Sequence, residues 1–117
     1  SVNDIGDDID AIFIPLDALI ASNAPIFAEY ALTHKLPVSA PQYFGIKSGA
    51  LFAYGFTQYE TGKQGAVLAI RILDGADPGE LPVEMAETFF MLNLKTAKAI
   101  DLKIPNHIIG KADMVIR

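Results

Sequence analysis

The sequence contains no cysteine, which excludes disulfides and thiol chemistry and leaves the redox compartment unread. Basic residues are scarce too. Nine Lys and Arg, scattered along 117 residues, stand against fourteen Asp and Glu, for a formal charge of −5. Phosphate backbones are gripped by clustered Lys and Arg, so no nucleic-acid partner is expected. No apolar run reaches the roughly 20 residues that a membrane-spanning helix needs; Asp10, Asp17, Glu29, Lys47, Glu60 and Asp74 interrupt the candidates. Internal repeats and low-complexity stretches are absent. The opening SVNDIGDDID carries neither an initiator methionine nor a basic leader, so the chain is read as a piece of something longer.

Catalytic signatures are missing as well. Ser22, Ser39 and Ser48 lack the glycine-flanked elbow of a hydrolase nucleophile. TGKQG resembles a phosphate loop, but the stretch from Gly55 to Gly62 is too long and Gln64 replaces the required Ser or Thr. His34 and His107 have no acidic or histidine partner at metal-ligand spacing and read as surface residues, and Asp7 and Asp8 read as solvated. An enzyme, a cofactor and a metal are therefore not expected.

What is present is the composition of one globular domain, 51% hydrophobic and 20% charged. Ile12, Phe13 and Ile14, in the run from Ala11 to Pro15, predict a strand buried on both faces. From Asn23, with Pro25 in the first turn, a helix is predicted with Ile26, Phe27, Tyr30 and Ala31 as its apolar stripe. Leu36 to Val38 opens a second extended segment, PQYFGIKSG reads as a loop, and Ala50 to Tyr54 as a third strand. Thr57 and Glu60 have the spacing of a capping box, so a helix should start near Gln58 and stop at Gly75. Ala66, Ala69, Ile70 and Leu73 line one side of it. VEMAETFFMLN reads as extended, with Val83, Met85, Thr88, Phe90 and Leu92 competing for burial. Asn93 caps a helix over LKTAKAIDL, Pro105 breaks it, and NHIIGKA forms a short turn before the tail. Strands alternating with helices imply an α/β fold of parallel βαβ units.

In open parallel sheets ligands gather beyond the carboxyl ends of the strands. Asp17 occupies such a position, where it either holds a ligand's ammonium group or caps a following turn. Gln42, Tyr43 and Phe44 follow the second strand toward the same edge, while Tyr54 ends the third strand and Phe56 and Tyr59 come after it. Each aromatic can stack on a ligand or pack as core, and Tyr59, in the first helical turn, can face a cleft.

AIFIPLDALIASN, the LPV strand, SGALFAYGFTQYETGKQGAVLAIRILDG, LPVE and NLKTAKAIDLKIP together resemble the C-terminal part of the ABC-transporter substrate-binding proteins, which have the two-lobed type I periplasmic binding protein fold. The likeness runs from about Asp10 to Arg117. It implies a partial fold: residues 1–53 as a second-lobe segment, 54–81 as a hinge crossing with a first-lobe helix, and 82–117 as the return crossing and the rest of the second lobe. It further implies an extracytoplasmic, non-catalytic solute-binding component of an ABC importer, read by a membrane permease when its lobes close. Family members are often linked to amino acids, aromatic ones included. In the family the strand before the cleft usually ends in proline, threonine, aspartate and asparagine, whereas here Pro15, Leu16, Asp17 and Ala18 keep only the proline and the aspartate. The resemblance thus implies Asp17 as a ligand contact, with Gln42, Tyr43 and Tyr59 suited to a more apolar or stacked ligand. A helix whose own lobe is missing would expose an apolar face and invite self-association. A ligand-sensing regulatory domain of the same two-lobed fold is the alternative, and a small flavodoxin-like enzyme is disfavoured by the missing catalytic motifs.

Overall fold

A computed structural model of the chain describes residues 5, 6 and 8–117. Asp7 lies outside the described residues, while Asp8 is exposed. The chain forms a five-stranded sheet in the order β1 (Ile12–Phe13), β2 (Val38–Ala40), β3 (Phe52–Gly55), β4 (Phe89–Asn93), β5 (Met114–Ile116). The helices between them are α1 (Ala18–Ser22), α2 (Ala24–Thr33), α3 (Tyr43–Lys47), α4 (Gln58–Leu73), α5 (Leu94–Ala99) and α6 (Asn106–Ile109). β1, β2 and β3 are parallel and so are β4 and β5, but β3 and β4 run antiparallel with Gly55 opposite Phe89. The α/β class stands, with a mixed rather than wholly parallel sheet.

One face of the sheet carries the core. Ile14, Val38, Ala40, Ala53 and Met91 pack there against Ala31 and Ile46 from the helices. The stripe of α2 is rotated from the predicted one: Ala24, Ala28 and Ala31 are buried, Phe27 and Tyr30 are half-buried, and Ile26 is exposed. Small side chains let α2 lie close to the sheet, which turns the larger Ile26 outward. A second small cluster, Leu51, Ala97 and Ile100 with Ile104, seats α5. Buried Asn93 joins the two regions, accepting from Thr96 N at 3.1 Å as the predicted cap of α5 and donating to Ile46 O.

The opposite face is partly bare. Phe13 is 77% exposed and Tyr54 66%, so β1 is not the doubly buried strand expected; only the Ile12–Ile14 side is covered. Val83 and Met85 are also exposed, and strand pairing begins only at Phe89. The PQYFGIKSG segment is not a loop, since α3 occupies its centre. A β-carbon on Gly45 would come within 2.2 Å of the Ala40 Cβ, so glycine is what lets α3 press onto β2. Gly55 serves the same purpose at the end of β3, where a β-carbon would meet Pro41 O at 1.7 Å. The tail, for which the pattern predicts no element, is β5.

Four helices end in the same motif. The amide after the left-handed residue reaches back five residues, as in Leu36 N to Ala31 O, Ala50 N to Gly45 O, Ala76 N to Arg71 O and Leu102 N to Ala97 O. Gly49 and Gly75 take the left-handed position in α3 and α4, while Lys35 (φ 55°) and Asp101 (φ 58°) take it in α2 and α5. The two non-glycine residues form an ion pair with each other, tying the ends of α2 and α5 together.

Candidate functional site at the sheet edge

Parallel β1, β2 and β3 deliver their carboxyl ends to one edge. Because β4 is antiparallel, the residues that precede it arrive at the same edge. Asp113, just before β5, joins them: its backbone N donates to Phe90 O at 2.8 Å and its Oδ2 accepts from Phe90 N at 2.7 Å.

Among the described residues two recesses lie along this edge. Asp17 and Gln42 line the smaller, about 30 Å³, together with Pro15, Pro41 and Phe44. That volume is far below the range of small-molecule sites. Tyr43 and Tyr59 line the larger, about 710 Å³, with Thr57, Glu60, Glu87, Phe89 and Asp113 among its other walls. Its size lies within the range of small-molecule sites. The four residues singled out from sequence thus share an edge but divide between two recesses. A hydrogen bond from Gln58 Nε2 to Gln42 Oε1 at 3.0 Å links the two.

Local chemistry explains how each side chain is held. Asp17 is the N-cap of α1, accepting from Ile20 N at 2.9 Å through Oδ1, so the capping role is fulfilled. Thr57 caps α4 by accepting from Glu60 N at 3.2 Å. The reciprocal half of the capping box is not made; Glu60 Oε2 instead accepts from Lys63 Nζ at 2.9 Å. Lys63 Nζ also lies 5.6 Å from the Tyr59 ring centroid, and Lys47 Nζ 5.0 Å from that of Tyr43. The hydrogen bond and charge of Glu60 hold the Lys63 ammonium above the usual lysine range, with smaller contributions from Tyr59 and Glu87 against a lowering by desolvation. Gln64 fastens α4 to the segment before β4, its Nε2 donating to Met85 O at 3.2 Å and its Oε1 accepting from Glu87 N at 3.3 Å.

Glu87, Phe89 and Asp113 are not foreseen from sequence, because strand carboxyl ends alone do not point to them. An antiparallel β4 reverses that rule for the residues before it. Among the described residues no group of three or more His, Asp or Glu side chains is arranged to hold a metal ion. Among them, too, no helix is long and apolar enough to cross a membrane.

Residues 1–116 match the family model described as ABC transporter substrate binding protein. The chain belongs to this family. It is 35% identical over 96 residues to a tyrosine-binding protein of Clostridioides difficile (strain R20291), covering 81% of this chain and 28% of that protein. Among solved structures, a conserved domain protein from Vibrio cholerae superposes with a TM-score of 0.80 at 27% identity, over 97% of this chain and 39% of that one. An ABC domain in complex with L-Trp from Streptococcus pneumonia gives 0.78 at 26% identity, over 93% of this chain and 37% of that one. A ligand-free, open substrate-binding protein with adhesive properties from Clostridium difficile gives 0.75 at 27% identity, over 98% and 39%. The chain therefore spans well under half the length of these relatives, and its mixed α/β sheet is a partial periplasmic-binding-protein fold.

Proposed function

We propose that the chain is a portion of the extracytoplasmic solute-binding component of an ABC importer, capturing a small amino-acid-like ligand without covalent chemistry. The observation that carries this reading is the convergence of Asp17, Gln42, Tyr43 and Tyr59 on one sheet edge beside a recess of ligand size. Relatives named for tyrosine binding and solved with L-Trp support an aromatic amino acid as the ligand. In this reading residues 1–53 and 82–117 build the second lobe, and 54–81 cross the hinge and contribute α4 to the first. The absence of any buried residue in α4 supports the division, because a helix with Val67, Ile70 and Leu73 exposed has its packing partner elsewhere. Closure of the lobes over the ligand presents the surface that a membrane permease reads.

Calorimetric titration of the full encoded protein against amino acids, short peptides and small amines tests the proposal. Binding of an aromatic amino acid is the expected result, and no binding across the panel removes the ligand class. Asp17→Ala separates two roles in the same experiment. Loss of the cap lowers stability by about 0.5–2 kcal/mol, whereas a ligand contact lowers affinity as well; a stability loss alone leaves Asp17 a cap.

A further inference from the structure

The larger recess has a chemical bias that the family match does not specify. Its lining includes three carboxylates, Glu60, Glu87 and Asp113, and three aromatic rings, Tyr43, Tyr59 and Phe89, and among the described residues no Lys, Arg or His. Two of the carboxylates are engaged. Glu60 is paired with Lys63, and Asp113 accepts from Phe90 N. Glu87 makes no ion pair among the described residues, and its position is fixed through its backbone by Gln64 rather than through its side chain.

The protein already shows what these surroundings accept. The Lys63 ammonium is hydrogen-bonded to Glu60 and lies over the Tyr59 ring, the contacts that an incoming ammonium would use. Lys47 makes the same kind of ring contact with Tyr43. The chain's own lysines thus place an ammonium over a tyrosine face twice, once with a carboxylate beside it, just outside the lining of the recess. A free carboxylate group on a ligand would meet three carboxylates on the lining, where the nearby Lys63 ammonium is already bonded to Glu60.

We infer that this recess, next to the segments entering and leaving α4, is a subsite for the cationic end of an aromatic amine or amino acid, with Glu87 as its counter-charge and Tyr43 and Tyr59 as its aromatic walls. The inference rests on the solute-binding reading above and adds a direction: the ligand's ammonium faces Glu87, and Lys63 is the internal cation that opposes it. A ligand then depends on its ammonium more than on its carboxylate for recognition by this region of the protein.

The test uses the full encoded protein and three matched probes: L-tyrosine, tyramine, and 3-(4-hydroxyphenyl)propionate, which lacks the amine. Tyrosine and tyramine are expected to bind and the deaminated acid is not. Glu87→Gln, which keeps shape and the backbone bond to Gln64, is expected to weaken tyramine by about tenfold or more. Lys63→Gln is expected to strengthen tyramine, an improvement that general damage to the fold would not produce. Unchanged tyramine affinity in Glu87→Gln, weaker or unchanged binding in Lys63→Gln, or a deaminated acid that binds as tightly as tyramine overturns the subsite while leaving solute capture intact. Binding of none of the three, nor of any member of the wider panel, removes the solute-capture reading and the subsite with it.

Discussion

The packed face of the sheet and helix α4 make an instructive pair, because both are made of well-formed local structure and only one is buried. Ala53 and Met91 are fully sequestered, whereas no residue of the 16-residue α4 is buried and Leu73 is 84% exposed. The shape of the molecule reflects this. A radius of gyration of 17.7 Å and extents of 58 × 35 × 18 Å exceed the roughly 13 Å radius of a compact domain of this length. Caps and propensity can specify where a helix begins and ends, but an amphipathic face gains most of its stability from a partner. In this chain α4 has its caps, its Gln64 tether and its Gln58 bridge, and lacks that partner.

The contrast can be broken first in the core. In the 117-residue chain, Met91→Ala should cost about 2–5 kcal/mol, while Ile70→Ala on α4, 56% exposed, should stay within about 0.5 kcal/mol; denaturant titration of both variants of this chain gives the difference, and equal losses would mean that α4 is packed within it. A smaller effect is expected at the helix start. Thr57→Ala removes the bond to Glu60 N and should lower stability by about 0.5–2 kcal/mol, read most directly as faster amide exchange in the first turn of α4. Smallest is the pair between the ends of α2 and α5. Lys35, through its hydrogen bond and then its charge, holds the Asp101 carboxyl below the usual carboxylate range. A depressed folded pKa contributes stability above the ordinary aspartate value of about 4 and loses it as pH falls through the lowered one. Lys35→Ala, which keeps a β-carbon at the left-handed position, should therefore be slightly less stable than the parent at neutral pH and equal to it in strong acid. Both side chains are largely exposed, so added salt should shrink the difference.

Local signals were the legible ones. Thr57 and Gly75 bound α4 as expected, and Asn93 caps α5, because a cap needs only its own neighbours. α3 was hidden by Pro41, Gly45 and Gly49, whose turn-like chemistry serves contacts that exist only in the folded molecule, Gly45 on Ala40 above all. β5 was hidden for a related reason: Met114, Val115 and Ile116 form a strand by pairing with Met91, Leu92 and Asn93, a long-range fact that three residues cannot announce. At the site, Tyr43 and Tyr59 could be found by following strands to their carboxyl ends. Glu87 and Asp113 could not, since their arrival at that edge depends on the antiparallel turn of β4.

Hydrogen exchange on the full encoded protein, with and without saturating L-tyrosine, reads whether solute is held at this edge. Slowed exchange in the segments around Tyr43, Thr57–Glu60 and Glu87–Phe89 is predicted. Tyrosine binding that leaves all three segments unchanged would place the solute away from this edge.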